Sequence, residues 1–356
     1  MHDPLYYSRR PYADALLTML AEGVVSAFTL FAPRRMGKTQ FLLNDIQPAA
    51  EARDFAVFYF SFMDSDAQTE NRFRLALLDF ASQLGIGGKL KAWLAGIEQL
   101  SAFGASLSRE KVPAPASISE VIEALAQGGK RILLLLDEVQ ELARLGDTGG
   151  LIRSLRTGLD VHRAQVKVIF TGSSMNGLRQ MFSDYKAPFF QFAHAMAFPR
   201  LEQEFTDFLA DIYQARTANT LDKQALYQWL VRFEHIPLHL RTIIQNMIID
   251  PTLPLDVAAA AQQQYLHDSA DYAAIWRELK ALDRLLLQAL AQEKQTLYAQ
   301  DTRQWLAAQM GVDDVSVPQV QAALRRLTRA DFITKNSEGQ WAVNHPDMLG
   351  WIREQL

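Results

Sequence analysis

The 356-residue chain contains no cysteine. That excludes disulfides, thiolate metal sites and cysteine nucleophiles together. Long apolar runs are missing too: a stretch such as Phe55 to Phe60 is among the longest, far short of the roughly 18 residues of a membrane span. Nor is there an excess of positive charge. Lys and Arg number 36 against 40 Asp and Glu, a net charge of −4, so the molecule as a whole is not an electrostatic nucleic-acid binder, leaving room only for a local basic surface. There is no tandem repeat or low-complexity linker, and the N-terminal MHDPLYYSRRPY has no apolar signal core. With 49% apolar and 21% charged residues, the expectation is a soluble, cytoplasmic globular protein of two domains, or one large domain with an appendage.

What is there is an alternation of strand-like and helix-like segments. Tyr12, Leu16, Leu17 and Leu20 recur at helical spacing over residues 10–22. The run Ala27 to Ala32 reads as a strand, and a helix begins at Lys38 and fades by Pro48. Phe55 to Met63 is apolar on both faces, as in a buried parallel strand. Residues 71–103 read as helical with a break at Gly85 to Gly88, and Ala105 to Ala116 as a surface connection. SISEVIEALAQGG is a helix capped by Ser117 and Glu120 and stopped by Gly128 and Gly129. Arg131 to Asp137 is a fully buried strand, residues 149–163 a helix, Val166 to Ser174 a fourth strand, and Ala195 to Leu201 a candidate fifth. Such alternation predicts a three-layer α/β domain around a parallel sheet.

Between the first strand and the following helix lies FAPRRMGKTQ, Phe31 to Gln40. A loop of backbone N–H groups at a helix start binds phosphate through aligned donors and the helix dipole. Gly37 lets the backbone approach, Lys38 reaches the outer phosphates and the Thr39 hydroxyl ligates Mg²⁺. Ala32 stands where the pattern usually has its first glycine; it is tolerated provided its φ is negative. The adjacent Arg34 and Arg35 either approach phosphate, meet a partner, or are solvated loop residues.

The matching half of the site is ILLLLDEVQEL, Ile132 to Leu142. A carboxylate pair at the end of a buried strand is costly unless a cation or a reaction uses it. Asp137 suits Mg²⁺ through its water shell and Glu138 suits orienting or deprotonating an attacking water; the plainer reading makes Asp137 a helix cap. Thr171-Gly172-Ser173-Ser174 ends the fourth strand. Ser173 there can touch the γ-phosphate or its water, or simply belong to a turn.

Taken together, these segments resemble the AAA-like P-loop ATPases of the STAND group, in particular the archaeal-type ATPases. The resemblance rests on Tyr7-Ser8-Arg9-Arg10, on Pro33-Arg34-Arg35-Met36-Gly37-Lys38-Thr39, on Asp137-Glu138-Val139-Gln140 and on Gly172-Ser173-Ser174, and spans residues 5 to about 250. It implies ATP or ADP with Mg²⁺ as ligands, Pro33 to Gln40 as the nucleotide-binding loop, and a contribution from the lid proline, Pro237. Glu138 and Ser173 take the catalytic roles, while Thr39 and Asp137 hold the metal. Two departures stand out. Gln191-Phe192 replaces the family's usual Gly-Arg, with only Arg179 and Arg200 nearby, and His235-Ile236-Pro237 keeps the lid proline but not its glycine.

The expected division is a P-loop core at residues 1–201, a helical lid at 202–280 and a winged helix at 281–356. The last rests on helices near 282–293, 301–310 and 317–330 followed by strands Phe332 to Lys335 and Gln340 to Val343 around Asn336-Ser337-Glu338-Gly339. Its third helix carries Arg325, Arg326 and Arg329, with Lys335 in the wing, but residues 281–356 hold eight basic and nine acidic side chains. A DNA reader is normally basic, so packing or protein contact is favoured, with Trp341 and Trp351 closing a small core. Two functions follow as expectations: a slow ATPase switch acting on a protein or nucleic-acid partner or on self-association, or a DNA-binding regulator or mobile-element or defence helper in which the winged helix contacts DNA and the loop is secondary.

Overall fold

The structure, a computed structural model, describes residues 3–64, 66, 68–86, 116–144, 149–173, 181–182, 185, 187–269, 272–335 and 339–356. Strands β1 (Ala27–Phe31), β2 (Phe55–Ser61), β3 (Arg131–Asp137), β4 (Val166–Gly172) and β5 (His194–Ala197) form one sheet ordered β2-β3-β4-β1-β5. Every pairing is parallel. The pleat of β3 shows why its sequence is one apolar run. Ile132, Leu134 and Leu136 enter a core on one face, and Leu133 and Leu135 enter a second core on the other. All five have 0% exposure, and burying each contributes on the order of 1.5–3 kcal/mol.

On the first face lie α4 (Thr69–Gln83), α5 (Ile118–Gln127) and α6 (Gly149–Val161); on the second lie α1 (Arg10–Ala21) and the helix that follows the phosphate loop. The Ser117 capping box forms, with the hydroxyl accepting from the Glu120 N–H and the Glu120 carboxylate accepting from the Ser117 N–H. Most of residues 71–103 and of the Ala105 to Ala116 connection lies outside the described residues, as do Ser174 and Arg179.

Two expectations need correction. The helix after the loop does not fade at Pro48. It runs as α2 (Lys38–Phe41), a π-helical turn Leu42–Ile46, and α3 (Gln47–Glu51). Pro48 falls in the first turn of the renewed α register, where its missing N–H breaks no bond. Second, β2 is the edge of the sheet, and most of its residues are only half-buried.

After the sheet the chain is helical: α7 (Gln203–Thr217), α8 (Lys223–Arg232), α9 (Pro237–Ile249), α10 (Leu255–Ser269) and α11 (Tyr272–Glu278). Helices α7 to α10 enclose a third core that also takes in Leu5 from the N-terminal strap. A fourth core joins α12 (Ala281–Ala291), α13 (Gln300–Met310), α14 (Val317–Arg329), the hairpin β6 (Ile333–Lys335) and β7 (Trp341–Val343), and α15 (Pro346–Glu354). That last helix was not expected from the sequence. Trp341 and Trp351 are packed against this core, Trp351 edge-on to Trp276 with ring centroids 5.6 Å apart.

Candidate functional site

Strands β3, β4 and β1 are neighbours, so the loops leaving their carboxyl ends meet. These are Asp137-Glu138, Gly172-Ser173 and the phosphate loop, the place where a parallel sheet offers a ligand crevice. Gly37, at φ 88, is left-handed and immediately precedes α2. Ala32 is not among the residues with positive φ, whereas Arg35 is, at φ 66. The loop therefore tolerates alanine at its first position and turns at an arginine.

Lys38 is buried, and its ammonium donates to the carbonyls of Ala32 at 2.8 Å and Pro33 at 2.9 Å. Desolvation lowers its pKa, the charges of Glu138 and Asp137 oppose that shift, and the charge of Arg34 adds to it. Thr39 Oγ1 donates to Asp137 Oδ2 at 2.6 Å. Asp137, 1% exposed, also accepts from the Tyr59 hydroxyl at 3.2 Å, the Glu138 N–H at 3.1 Å and the Thr171 hydroxyl. Burial and the Asp137 charge push the Tyr59 phenol up to about 12, so it stays a donor. The helix-cap reading fails, because the Asp137 oxygens face the loop and the neighbouring strands.

Glu138 sits at φ 55, a left-handed backbone unusual for a residue with a side chain. Its Oε2 accepts from Ser173 Oγ at 2.7 Å and Gln140 Nε2 at 2.5 Å, and Ser173 N–H donates to Gln140 Oε1 at 3.3 Å. One oxygen is thus oriented by two donors. Among the described residues the other, Oε1, has none.

The remaining loop residues divide. Met36 is buried, and its carbonyl accepts from Arg9 Nη2 at 3.1 Å. Arg35 Nη1 pairs with Asp347 Oδ2 of α15 at 2.6 Å. Asp347 Oδ1 is 2.8 Å from Nε2 of buried His239 in α9. Arg34, Arg35 and Ser173 line a cavity of about 370 Å³ whose other wall carries Asp331, His345 and Asp347. Gln40 is exposed, its Oε1 accepting from Asn44 at 3.4 Å. Ile236 lines that cavity, while the adjacent Pro237, buried in the first turn of α9, does not. Glu234 and His235 lie at φ 52 and φ 56, consecutive left-handed residues just ahead of that proline. The lost glycine would have suited this turn.

Sequence reasoning gave no role to Tyr59, Thr171, Gln140, Arg9 or Asp347. For Thr171 there was a signal, a hydroxyl following the apolar run Val168 to Phe170 of β4, beside the end of β3. For Asp347 there was none, since 312 residues separate it from Arg35.

The donor set suits Mg²⁺. Thr39 and Asp137 offer two hard oxygens, and Mg²⁺ typically takes one or two protein oxygens and completes its shell with water and substrate phosphate. Among the described residues no group of three or more His, Asp or Glu could hold a metal by itself.

Fold and loop together define a P-loop α/β protein. Residues 8–230 match the ATPase domain predominantly from Archaea, and the chain belongs to that ATPase family. No curated protein matches it in sequence. Among solved structures, a Walker-type ATPase of Pyrococcus abyssi superposes with a TM-score of 0.64 at 17% identity, covering 98% of this chain and 96% of that one. The ORC2 protein of Aeropyrum pernix, solved with ADPNP and ADP, gives 0.53 at 14% identity over 98% and 94% of the chains. At these identities the likeness speaks to the fold. Among the described residues no helix is long and apolar enough to cross a membrane.

Proposed function

We propose that this ATPase is a nucleotide-controlled switch, in which Mg²⁺-dependent ATP hydrolysis at the loop of residues 33–40 governs how a lid (202–280) and a winged helix (281–356) sit on the core (1–201). One observation carries the reading. Arg35, a residue of the phosphate loop, holds Asp347 of α15, and Asp347 in turn holds His239 of α9. Loop, lid and C-terminal unit share one charge cluster, so a ligand that reshapes the loop changes what holds the other two.

The chemistry follows from the side chains. Phosphate oxygens compete with the carbonyls of Ala32 and Pro33 for the Lys38 ammonium, and the N–H groups of the loop line the phosphates. Thr39 and Asp137 would hold Mg²⁺, which would supply neutralisation of phosphate charge there. Ser173 and Gln140 fix Glu138 so that Oε1 faces the attacking water and takes its proton. The resulting hydroxide bonds to the γ-phosphorus, the bridging P–O bond breaks, and its electron pair leaves on ADP. ATP is preferred over GTP on the family relationship alone.

The test is phosphate release from MgATP, with Glu138→Gln as control, beside hydrogen exchange of α15 with and without nucleotide. Release abolished in the variant, with α15 protection that depends on nucleotide, supports the switch. Release with protection unaffected by nucleotide removes it.

A second reading has its own observation. Tyr298, Gln321, Arg325, Arg329 and Trp341 line a surface cavity of about 510 Å³ on α14 and the hairpin, where aromatic and guanidinium groups could contact DNA. Arg326 is withdrawn from that face by Asp283, at 2.6 Å. Duplex binding that weakens steeply with salt and is lost in Arg325→Ala/Arg329→Ala would favour it.

A further inference from the structure

We propose that Arg34 is the terminal-phosphate cation of this site, supplied by the loop itself: it contacts the γ-phosphate of bound nucleoside triphosphate, distinguishes it from the diphosphate and offsets the charge of the transition state. The inference rests on the nucleotide reading above and adds a residue and a role to it.

Adjacent arginines at the loop apex have been given different surroundings. Arg35 is committed, its guanidinium 2.6 Å from Asp347. Arg34 is exposed and has no ion-pair partner among the described residues. The left-handed turn at Arg35, φ 66, separates the two. Arg35 also lines a second cavity, between α9 and α10, which Arg34 does not reach.

Arg34 instead shares the 370 Å³ cavity with Ser173, and Ser173 Oγ lies 2.7 Å from the Glu138 carboxylate. The cavity therefore opens beside the carboxylate that faces the attacking water, which is where the outermost phosphate has to lie. The acidic groups on the opposite wall leave Arg34 available. Asp347 is already matched by Arg35 and His239, and Asp331 Oδ1 accepts from Asn344 Nδ2 at 3.0 Å.

The other described arginines near the loop are occupied or remote. Arg9 lies behind the loop, bonded to the Met36 carbonyl and 4.7 Å from the Phe198 ring. Arg200 is exposed, with its charge acting on Glu234 of the lid turn. On the β4 side, Phe189 and Phe192 fill the core and offer no cation. An arginine aimed at a transferring phosphoryl group typically accounts for about 10³–10⁵ in turnover, and its planar fork is not replaced by lysine.

The experiment is calorimetric titration of the full chain with MgATP and with MgADP, for wild type, Arg34→Ala and Arg34→Lys, beside single-turnover phosphate release that includes Glu138→Gln. The expected Arg34→Ala result is MgADP binding within about twofold of wild type, MgATP binding weakened about tenfold or more, and release slowed at least about 100-fold. Arg34→Lys recovers part of the ATP affinity and little of the rate. Unchanged ATP-to-ADP preference and release in Arg34→Ala overturn the inference while leaving the ATPase reading intact, provided Glu138→Gln is inactive. Equal loss of both nucleotides also overturns it, since that marks a loop-shape role. A wild type that binds ATP without hydrolysing it removes the ATPase reading, and the binding ratio alone then decides the role of Arg34. A wild type that binds neither nucleotide, or binds both equally, overturns it as well.

Discussion

Thr39 and Asp137, 98 residues apart in sequence, are joined by a 2.6 Å hydrogen bond. The bond ties the start of α2 to the end of β3 and sets two hard oxygens side by side. Asp137→Asn keeps the shape but removes the charge that Mg²⁺ needs. MgATP affinity is expected to fall about tenfold or more, while metal-free binding in EDTA stays near wild type. Titrations in both buffers decide it; equal loss in both would assign Asp137 to loop structure alone.

Lys38→Ala removes a buried ammonium and leaves the carbonyls of Ala32 and Pro33 without the donor it gives them. ATP affinity is expected to drop about 100-fold or more, because a charge-assisted phosphate contact is lost in a partly desolvated site. Calorimetry giving wild-type affinity would end the phosphate-cradle assignment.

Glu138→Gln should bind MgATP normally and slow hydrolysis about 10²–10⁴-fold, the usual worth of a positioned general base. Ser173→Ala leaves the base in place but loosens its orientation, so a smaller fall, about tenfold, is expected with KM little changed. A Ser173→Ala enzyme with full turnover would make the 2.7 Å contact incidental.

Asp347 supplies a pH dependence. Burial works to raise its pKa, but the His239 hydrogen bond and the charges of His239 and Arg35 together hold it below the usual carboxylate range. A depressed carboxylate contributes stability that is present above its unfolded pKa, near 4, and is lost as pH falls through the lower folded value. The contact of α15 with the loop is therefore expected to hold at neutral pH and to open in acid below about pH 4. Hydrogen exchange of α15 across that range reads it, and Asp347→Asn should abolish the acid step.

Gly158 in α6 faces α5 at close range. A Cβ there would meet Ile122 Cδ1 at 2.9 Å and the Ser119 Cα at 3.1 Å. Alanine gains about 1 kcal/mol of helix propensity but must push two packed helices apart, at about 1–3 kcal/mol. Net destabilisation of up to about 2 kcal/mol is expected in chemical denaturation; a stabilised variant would mean that α5 and α6 separate freely.

The sequence by itself determined the strands of the sheet and marked most of the residues that gather at the candidate site. Ile132 to Leu136 reads as a strand buried on both faces, because five consecutive aliphatic side chains leave no polar face to present and the run, set off by Gly128-Gly129, is too short for a buried helix. Gly37-Lys38-Thr39 and Asp137-Glu138 then follow from what phosphate and a metal require of a loop and a strand end. Pairings remote in the chain could not be read there. Nothing local shows that Tyr59 and Thr171 hold Asp137, that Glu138 adopts a left-handed backbone, or that Ser173 and Gln140 share one oxygen of Glu138. Those contacts arise from strand order, which depends on the sum of many non-local packing terms and not on any short pattern. The tertiary structure also separated Arg34 from Arg35. Two identical neighbours in sequence became a latched residue and one with no ion-pair partner among the described residues, because α15, more than 300 residues away, brings Asp347 within reach of one of them.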